Sequence, residues 1–280
     1  MKILNKQKLV TVKDREITRM EIFAPDIART VLPGQFVIIM AEEKGERIPL
    51  TVVDKSIEKG TITVIFQEIG LTTRLLGKKE VGESLFAVAG PLGNPTEIKY
   101  YGNVIMVGGG VGIAEIYPVA NGFKTVNNHI TTILGTRTKE LLILEEELRQ
   151  ISDELYVVTD DGSYGRKGLV TDILQELLAG KNCYNLVYAV GPIPMMRKVT
   201  ELCKIFGVKI IVSLNALMVD GTGMCGCCRV TVKGETKFTC IEGPEFPGEE
   251  VNWEELENRN RMYRDKENYI LQKYKKSKTY

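Results

Sequence analysis

Residues 103–123, NVIMVGGGVGIAEIYPVANGF, run from an apolar block through a glycine cluster into a segment with helical spacing. A buried strand that ends in Gly108-Gly109-Gly110-Val111-Gly112 and opens a helix begins an α/β unit. Absent side chains let backbone N–H groups approach a phosphate there, and the helix dipole favours the negative charge. A plain tight turn has the same appearance, and the spacing is not GxGxxG. Downstream the pattern recurs as ITTILGTRT with KELLILEEELRQI, LYVVTDDGSYGRKG with LVTDILQELL, and NLVYAVGP with MMRKVTELCKIFG, before a last strand KIIVSLNAL. Strands alternating with helices predict a parallel sheet with crossover connections, whose ligands sit at the strands' carboxyl ends. Thr136-Arg137, Asp160-Asp161-Gly162 and Gly191-Pro192 stand at such ends, so four strand ends can surround a dinucleotide.

Upstream, from Lys8 to about Ile98, the texture is short β-branched runs bounded by Gly, Pro or Asp, which predicts an antiparallel barrel or sandwich. The boundary falls near Lys99. Within this region Arg47-Ile48-Pro49-Leu50-Thr51 offers a guanidinium for a pyrophosphate, a rigid turn, and a hydroxyl able to hydrogen-bond a ring heteroatom. An edge-strand proline beside a surface arginine accounts for the same residues. Gly70-Leu71-Thr72-Thr73 reads as a helix start capped by threonine, or as a second anion site.

Six cysteines are unevenly placed: Cys183 and Cys203 are isolated, while Cys225, Cys227, Cys228 and Cys240 fall within sixteen residues. In a reducing compartment that crowding points to metal or redox chemistry rather than a disulfide scaffold. With Asp220 as a ligand the spacing is D-x4-C-x2-C-x11-C, the plant-type 2Fe-2S pattern with aspartate at its first position. Zinc held by the four cysteines is the rival. The aspartate reading leaves Cys227 free. Between Cys228 and Cys240, RVTVKGETKFTC predicts a hairpin turning at Lys233-Gly234. The last thirty residues are charged and read as helical, with Trp253, Leu256, Met262 and Tyr263 available for one apolar face. They form either a solvated terminal helix or a docking surface.

The 280 residues are 44% hydrophobic and 26% charged, and 37 Lys plus Arg against 36 Asp plus Glu leave a net charge of +1. That balance gives no global electrostatic case for nucleic acid or an anionic membrane. No run approaches the roughly 18 apolar residues of a membrane span, and no apolar core leads to a cleavage site near the N-terminus, so a cytoplasmic location is expected. His129 is the one histidine. It reads as a strand start, and His-based acid/base or triad chemistry is not expected.

In this order, RxPxT, GxTT, GGGVGIA, GTRTKELL, TDDGSYGRKGxVTD, YAVGPIPMM and a cysteine loop ending in GPEF resemble the ferredoxin-NADP reductase-like flavoproteins. The nearest branch holds electron-transfer subunits of dihydroorotate dehydrogenase and sulfide dehydrogenase, together with the small subunit of the electron-bifurcating NADH-dependent reduced ferredoxin:NADP oxidoreductase. Aspartate in place of the first cluster cysteine, and the tail VNWEELENRNRMY, resemble the last of these. Glu115, where many relatives have proline, and the additional thiol of Cys227 depart from the family pattern.

The resemblance implies a β plus α/β fold: an FAD-binding antiparallel β-barrel over 1–98, a Rossmann-like NAD domain over 99–217, a 2Fe-2S loop and hairpin over 218–248, and a helical tail over 249–280. FAD would be held by Arg47, Pro49, Leu50 and Thr51, by Ile65, Phe66 and Gln67, and by Gly70, Thr72 and Thr73. The nicotinamide nucleotide would lie over Gly108, Gly109, Gly110, Val111 and Gly112, with Arg137, Asp160, Gly162, Gly191, Pro192 and Met195 around it. Asp220, Cys225, Cys228 and Cys240 would hold the 2Fe-2S cluster. The choice of NAD(H) over NADP(H) rests on the resemblance. No catalytic side chain is assigned, because flavin chemistry needs position and potential rather than an acid or base. The implied partner is a larger subunit with its own FAD, two 4Fe-4S clusters and the NADP(H) and ferredoxin sites. A non-catalytic, zinc-binding, nucleotide-responsive regulator is the alternative of another class.

Overall fold

A computed structural model describes residues 1–12 and 15–276. The N-terminal strands are β1 (Ile3–Val12), β2 (Arg15–Phe23), β3 (Phe36–Met40), β4 (Arg47–Ser56), β5 (Thr61–Gln67) and β6 (Ala87–Leu92), with helices α1 (Pro25–Thr30) and α2 (Leu71–Lys78). They form one antiparallel sheet in the order β1-β2-β5-β4-β3-β6. Its ends approach each other: Lys2 bridges Ser84 just ahead of β6, and the Ile3 N–H donates to the Glu83 carbonyl at 2.9 Å. The sheet therefore curls into a barrel, which limits its open edges. Met20, Ile22, Val37, Ile39, Val64 and Phe66 point inward at alternate positions and fill the barrel.

A second sheet follows, built from β7 (Asn103–Gly109), α3 (Gly112–Thr125), β8 (His129–Thr136), α4 (Glu145–Ile151), β9 (Glu154–Thr159), β10 (Arg166–Lys167), α5 (Val170–Ala179), β11 (Leu186–Val190), α6 (Ile193–Phe206) and β12 (Lys209–Ser213). These strands run parallel in the order β10-β9-β8-β7-β11-β12. Helices cover both faces: Ile105 and Val107 of β7 pack into one core cluster while Val104 and Met106 pack into the other. That two-sided burial explains why the strand is continuously apolar.

The hairpin of β13 (Arg229–Val232) and β14 (Glu235–Phe238) pairs Val232 with Glu235, so Lys233 (φ 52°) and Gly234 (φ 79°) form a two-residue turn with both φ positive. Next, β15 (Glu245–Pro247) adds antiparallel to β12, tying the cysteine region to the edge of the parallel sheet. The described residues end in α7 (Trp253–Asn260) and α8 (Arg264–Lys276).

Two elements differ from expectation. KELLILEEELRQI is not one helix: a single 3-10 turn and then α4 replace it, because Leu144 adopts a left-handed conformation (φ 54°) ahead of Glu145. The tail is two helices, and its supposed apolar face is only half present. Leu256 is buried and Trp253 partly buried, but Met262 and Tyr263 are exposed at the break between α7 and α8. Residues 277–280 of that segment lie outside the described residues. Among the described residues no helix is long and apolar enough to cross a membrane.

Candidate functional site

The parallel register sets the first half of the site. Gly109 pairs with Gly135, Thr136 with Thr159, and Val190 with Gly108, so the carboxyl ends of β7, β8, β9 and β11 lie side by side. This brings Gly108–Gly112, Arg137, Asp160, Gly162, Gly191 and Pro192 to one end of the sheet. Gly110 takes a positive φ of 59° to turn the chain from β7 into α3, with no heavy atom within 4 Å of where a Cβ would stand. Gly112, the first residue of α3, packs so closely that a Cβ would fall 2.5 Å from the Val190 carbonyl oxygen. Met195 of α6 fills the gap between two strand ends, since Cβ atoms added to Gly109 or Gly191 would meet its side chain at 2.3 and 2.6 Å. Arg137 and Asp160 are exposed at the rim. Asp161, also exposed, accepts from the Ser163 hydroxyl at 2.6 Å and N–H at 2.9 Å, hydrogen bonds that lower its pKa.

The barrel supplies the facing wall. Pro49, Leu50 and Thr51 pair with Ile38, Val37 and Phe36 across β3–β4. Arg47 is exposed where β4 begins. In α2 the Thr73 hydroxyl accepts from the Gly70 N–H at 3.1 Å, while Thr72 Oγ1 donates to Glu46 Oε2 at 2.6 Å. Thr73 therefore caps the helix, and Glu46 holds the second threonine beside the same N-terminus. Ile65 faces the seam with the α/β domain, but Phe66 points into the barrel core, leaving only its backbone for a ligand. Gln67 is half-buried at the end of β5.

One polar contact crosses the seam at this wall. Thr51 Oγ1 donates to Glu115 Oε2 at 3.2 Å, joining β4 to the first turn of α3. Glu115 keeps partial exposure, yet protein atoms crowd its carboxyl. Desolvation, opposed by the Thr51 hydrogen bond, pushes its pKa up to about 7. No direct sign of this contact stands in the sequence; its one hint is Glu115 itself, an acid at a place where the resemblance implies a different residue.

The cysteine loop occupies the other side of the barrel. A Cβ on Gly221 would fall 2.7 Å from Ile38 and 2.9 Å from Leu92, so the loop lies against β3 and β6. Cys228 and Cys240 are buried in the same cluster as Phe36 and Ile38, and their sulfurs are 3.2 Å apart. Burial first, then the hydrogen bond from Cys228, pushes the Cys240 thiol up to about 12. Cys225 and Cys227 are more exposed. Asp220 accepts from the Cys225 N–H at 2.8 Å and from the Thr222 N–H and hydroxyl. Its pKa is held far below the carboxylate range by the Cys225 thiol and the Thr222 hydroxyl. Arg259 of α7 donates to the Cys227 carbonyl at 3.0 Å, and Asn260 donates to the Asn215 carbonyl at 3.0 Å, so α7 brackets both ends of the loop.

Among the described residues no three of these side chains converge closely enough to form a ready metal site. The donor chemistry nonetheless suits iron and sulfide: four thiols and one carboxylate on a loop turned by Gly221, Gly223 and Gly226, all with positive φ. The thiols must lose their protons on metal binding, and a loop of this kind closes around the metal as it does so.

Comparison with known proteins follows the same division. Residues 106–201 match the oxidoreductase NAD-binding domain, and residues 215–252 match the iron-sulfur cluster binding domain of dihydroorotate dehydrogenase B. The second match favours a cluster over zinc. A protein of Thermotoga maritima described as a dihydroorotate dehydrogenase B (NAD(+)) electron transfer subunit homolog is 51% identical over 256 residues, 91% of this chain and 90% of its own length. A solved structure of the NADH-dependent reduced ferredoxin-NADP oxidoreductase, described for its insights into flavin-based electron bifurcation, aligns with a TM-score of 0.90 at 48% identity. It covers 98% of this chain and 97% of its own. The ferredoxin-NADP+ reductase of Plasmodium falciparum, at 16% identity, 72% and 88% coverage and a TM-score of 0.57, shares the fold alone. FAD, NAD(H) and a 2Fe-2S cluster are the cofactors of this combination of barrel, NAD-binding domain and cysteine loop. The chain belongs to the family of the electron-transfer subunit of dihydroorotate dehydrogenase B, oxidoreductase subunits built on the ferredoxin-NADP reductase fold.

Proposed function

We propose that the chain is the NADH-side subunit of an electron-bifurcating NADH-dependent ferredoxin:NADP+ oxidoreductase, working with a larger flavin and 4Fe-4S partner subunit in the cytoplasm. The observation that carries this is the arrangement around two paired strands. Thr51 of β4 contacts Glu115 in the first turn of α3, just past the glycine run, and Ile38 of β3, one strand over, lies against the cysteine loop. A site between these walls has a hydride donor on one side and a one-electron acceptor on the other. Likeness across almost the whole chain to the bifurcating enzyme's structure, and the Asp220 loop, support the finer assignment.

Flavin supplies the change from hydride to single-electron chemistry, and the chain supplies position, exclusion of water and charge. The N–H groups opening α3 receive the dinucleotide's pyrophosphate. Met195 packs across the paired β7 and β11 ends beneath it. Arg137 and Asp160 both stand exposed at this rim, so the assignment of NAD(H) rests on likeness to the NADH-dependent enzyme rather than on either side chain. Arg47 and the start of α2 would hold the FAD pyrophosphate, and Pro49, Leu50 and Thr51 would hold its ring system. Asp220, Cys225, Cys228 and Cys240 hold the cluster, and Arg259 fixes the loop backbone at Cys227. The domain extents 1–98, 99–217, 218–248 and 249–280 serve these roles in turn.

The test is an anaerobic preparation from the native cell, with flavin, iron and sulfide quantified and NADH then added. We expect joint bleaching of flavin and iron–sulfur bands, a co-purifying larger subunit, and NADP+ reduction that needs reduced ferredoxin together with NADH. A complex that oxidises dihydroorotate or sulfide instead would establish the second reading, which the 51% identity to the Thermotoga protein favours. Asp220→Cys should shift the cluster's midpoint potential and visible spectrum, because a thiolate replaces a carboxylate as ligand. An unchanged spectrum would show that Asp220 is not a ligand.

A further inference from the structure

We infer that Glu115 is a redox-linked proton site for the flavin: it takes a proton from solvent when the flavin at the seam is reduced and releases it when the electrons leave. The inference rests on the flavin lying along β4.

The geometry isolates this carboxyl. It projects from the first turn of α3 onto Thr51 of β4, at a seam where Val10, Ile17, Val53 and Ile65 of the barrel pack with Ile113 and Ile116 of α3. Among the described residues the influences on it are burial and the Thr51 hydroxyl. Charged groups on the adjoining elements act elsewhere. Asp54 of β4, Arg19 of β2 and Glu147 of α4 bear on Tyr117, and His129 lies at the far end of β8. From β11 the Tyr188 phenol, held neutral by burial, feels the Glu115 charge and donates to Glu245 of β15 at 2.6 Å. Among the described residues the carboxyl thus has hydroxyl neighbours and no compensating cation, so its proton affinity is set by how much negative charge stands nearby.

Hydride from NADH brings two electrons and one proton. The C–H bond of the nicotinamide breaks, a bond to the flavin ring forms, and the ring gains one unit of negative charge. A second negative charge on Glu115 in the same low-dielectric seam is unfavourable, so a proton from solvent binds its carboxylate. When the two electrons pass singly to the cluster, the ring proton and the Glu115 proton both return to solvent, and charge balances.

The sign and window follow from the carboxyl's resting state. Below about pH 7 Glu115 is already protonated with the flavin oxidised, so reduction adds no proton there. Above that pH the carboxylate is ionised before reduction and protonated after it, until the pH passes its raised value in the reduced protein. Over this window two protons accompany two electrons; above it one does, and below it one does until the reduced ring itself takes up a second proton.

The experiment is spectroelectrochemical titration of the flavin in the intact holo-chain, from about pH 6 to about pH 9, in wild type, Glu115→Gln and Glu115→Asp. We expect a twofold steeper fall of potential with pH in wild type above neutrality. Glu115→Gln should show the single-proton slope above neutrality, with the higher potential of the two at alkaline pH and no difference at acid pH. Glu115→Asp should restore a steep segment at a displaced pH. Independently of any variant, the reduced-minus-oxidised infrared spectrum of wild type above neutrality should gain a protonated-carboxyl C=O band. A wild-type slope without the steep segment and no such band would overturn the inference while leaving the flavin reading intact. A chain that binds no flavin would overturn both.

Discussion

Cys228→Ser strips the chain of its iron and sulfide, and NADH then bleaches the flavin alone. One-electron throughput to an acceptor such as cytochrome c falls by more than the roughly 10–100-fold that loss of an outer hydrogen-bond partner costs a metal site. The size follows from where the sulfur sits. Cys228 and Cys240 are both almost wholly buried, share a core cluster with Phe36 and Ile38, and stand 3.2 Å apart. A hydroxyl in that place is a poor ligand for iron. It also leaves Cys240 as a lone buried thiol, whose pKa of about 12 reflects burial first. Cys227→Ser is the informative contrast. Its side chain is more exposed and its backbone carbonyl, not its sulfur, takes the Arg259 hydrogen bond. If Asp220, Cys225, Cys228 and Cys240 are the ligands, Cys227→Ser keeps full iron content and the reduced cluster's electron paramagnetic resonance signal. Loss of the cluster from Cys227→Ser with retention in Asp220→Asn would exchange those two residues in the ligand set.

What was legible in the sequence was local. The glycine run at 108–112, the turn at Lys233-Gly234 and the polar residues ending each parallel strand declare themselves because backbone constraints act within a few residues. What escaped was long-range. Thr51 and Glu115 are 64 residues apart, and nothing near either marks the other as its partner. Nor does periodicity show that three residues of GPEFPG add to β12 against the direction of the sheet, since so short a strand carries no pattern. The division of the tail into α7 and α8 is similar. No glycine or proline interrupts Arg261–Tyr263, and the break follows from where Leu256, Arg259 and Asn260 are anchored. The cysteine loop lay between these cases: its ligand types were plain, but its contact with β3 through Gly221 is tertiary.

Gly112→Ala separates two opposing effects at the nucleotide crevice. Alanine in a helix is worth about 1 kcal/mol over glycine, so propensity alone predicts a more stable protein. Space predicts the reverse. The new Cβ would lie 2.5 Å from the Val190 carbonyl oxygen, 2.8 Å from its carbon and 3.0 Å from the Gly191 Cα, all backbone atoms that cannot rotate away. Overpacking of this kind costs about 1–3 kcal/mol, so the collision wins and thermal stability falls modestly. Function should suffer more, because relief requires the start of α3 to move off the end of β11. Those two elements frame the N–H groups that would receive the pyrophosphate, and displacement of about 1 Å is enough to misalign them. We expect the NADH concentration for half-maximal flavin reduction to rise by about tenfold or more. Flavin content should be retained, because the barrel is filled by a separate core cluster. Gly110→Ala is the control: it meets nothing within 4 Å, and its left-handed φ of 59° costs about 1–2 kcal/mol of strain without a collision. Stopped-flow flavin reduction against NADH concentration for both variants gives the answer. If Gly112→Ala binds NADH as well as wild type, the close packing of α3 on β11 is not what shapes the nucleotide site.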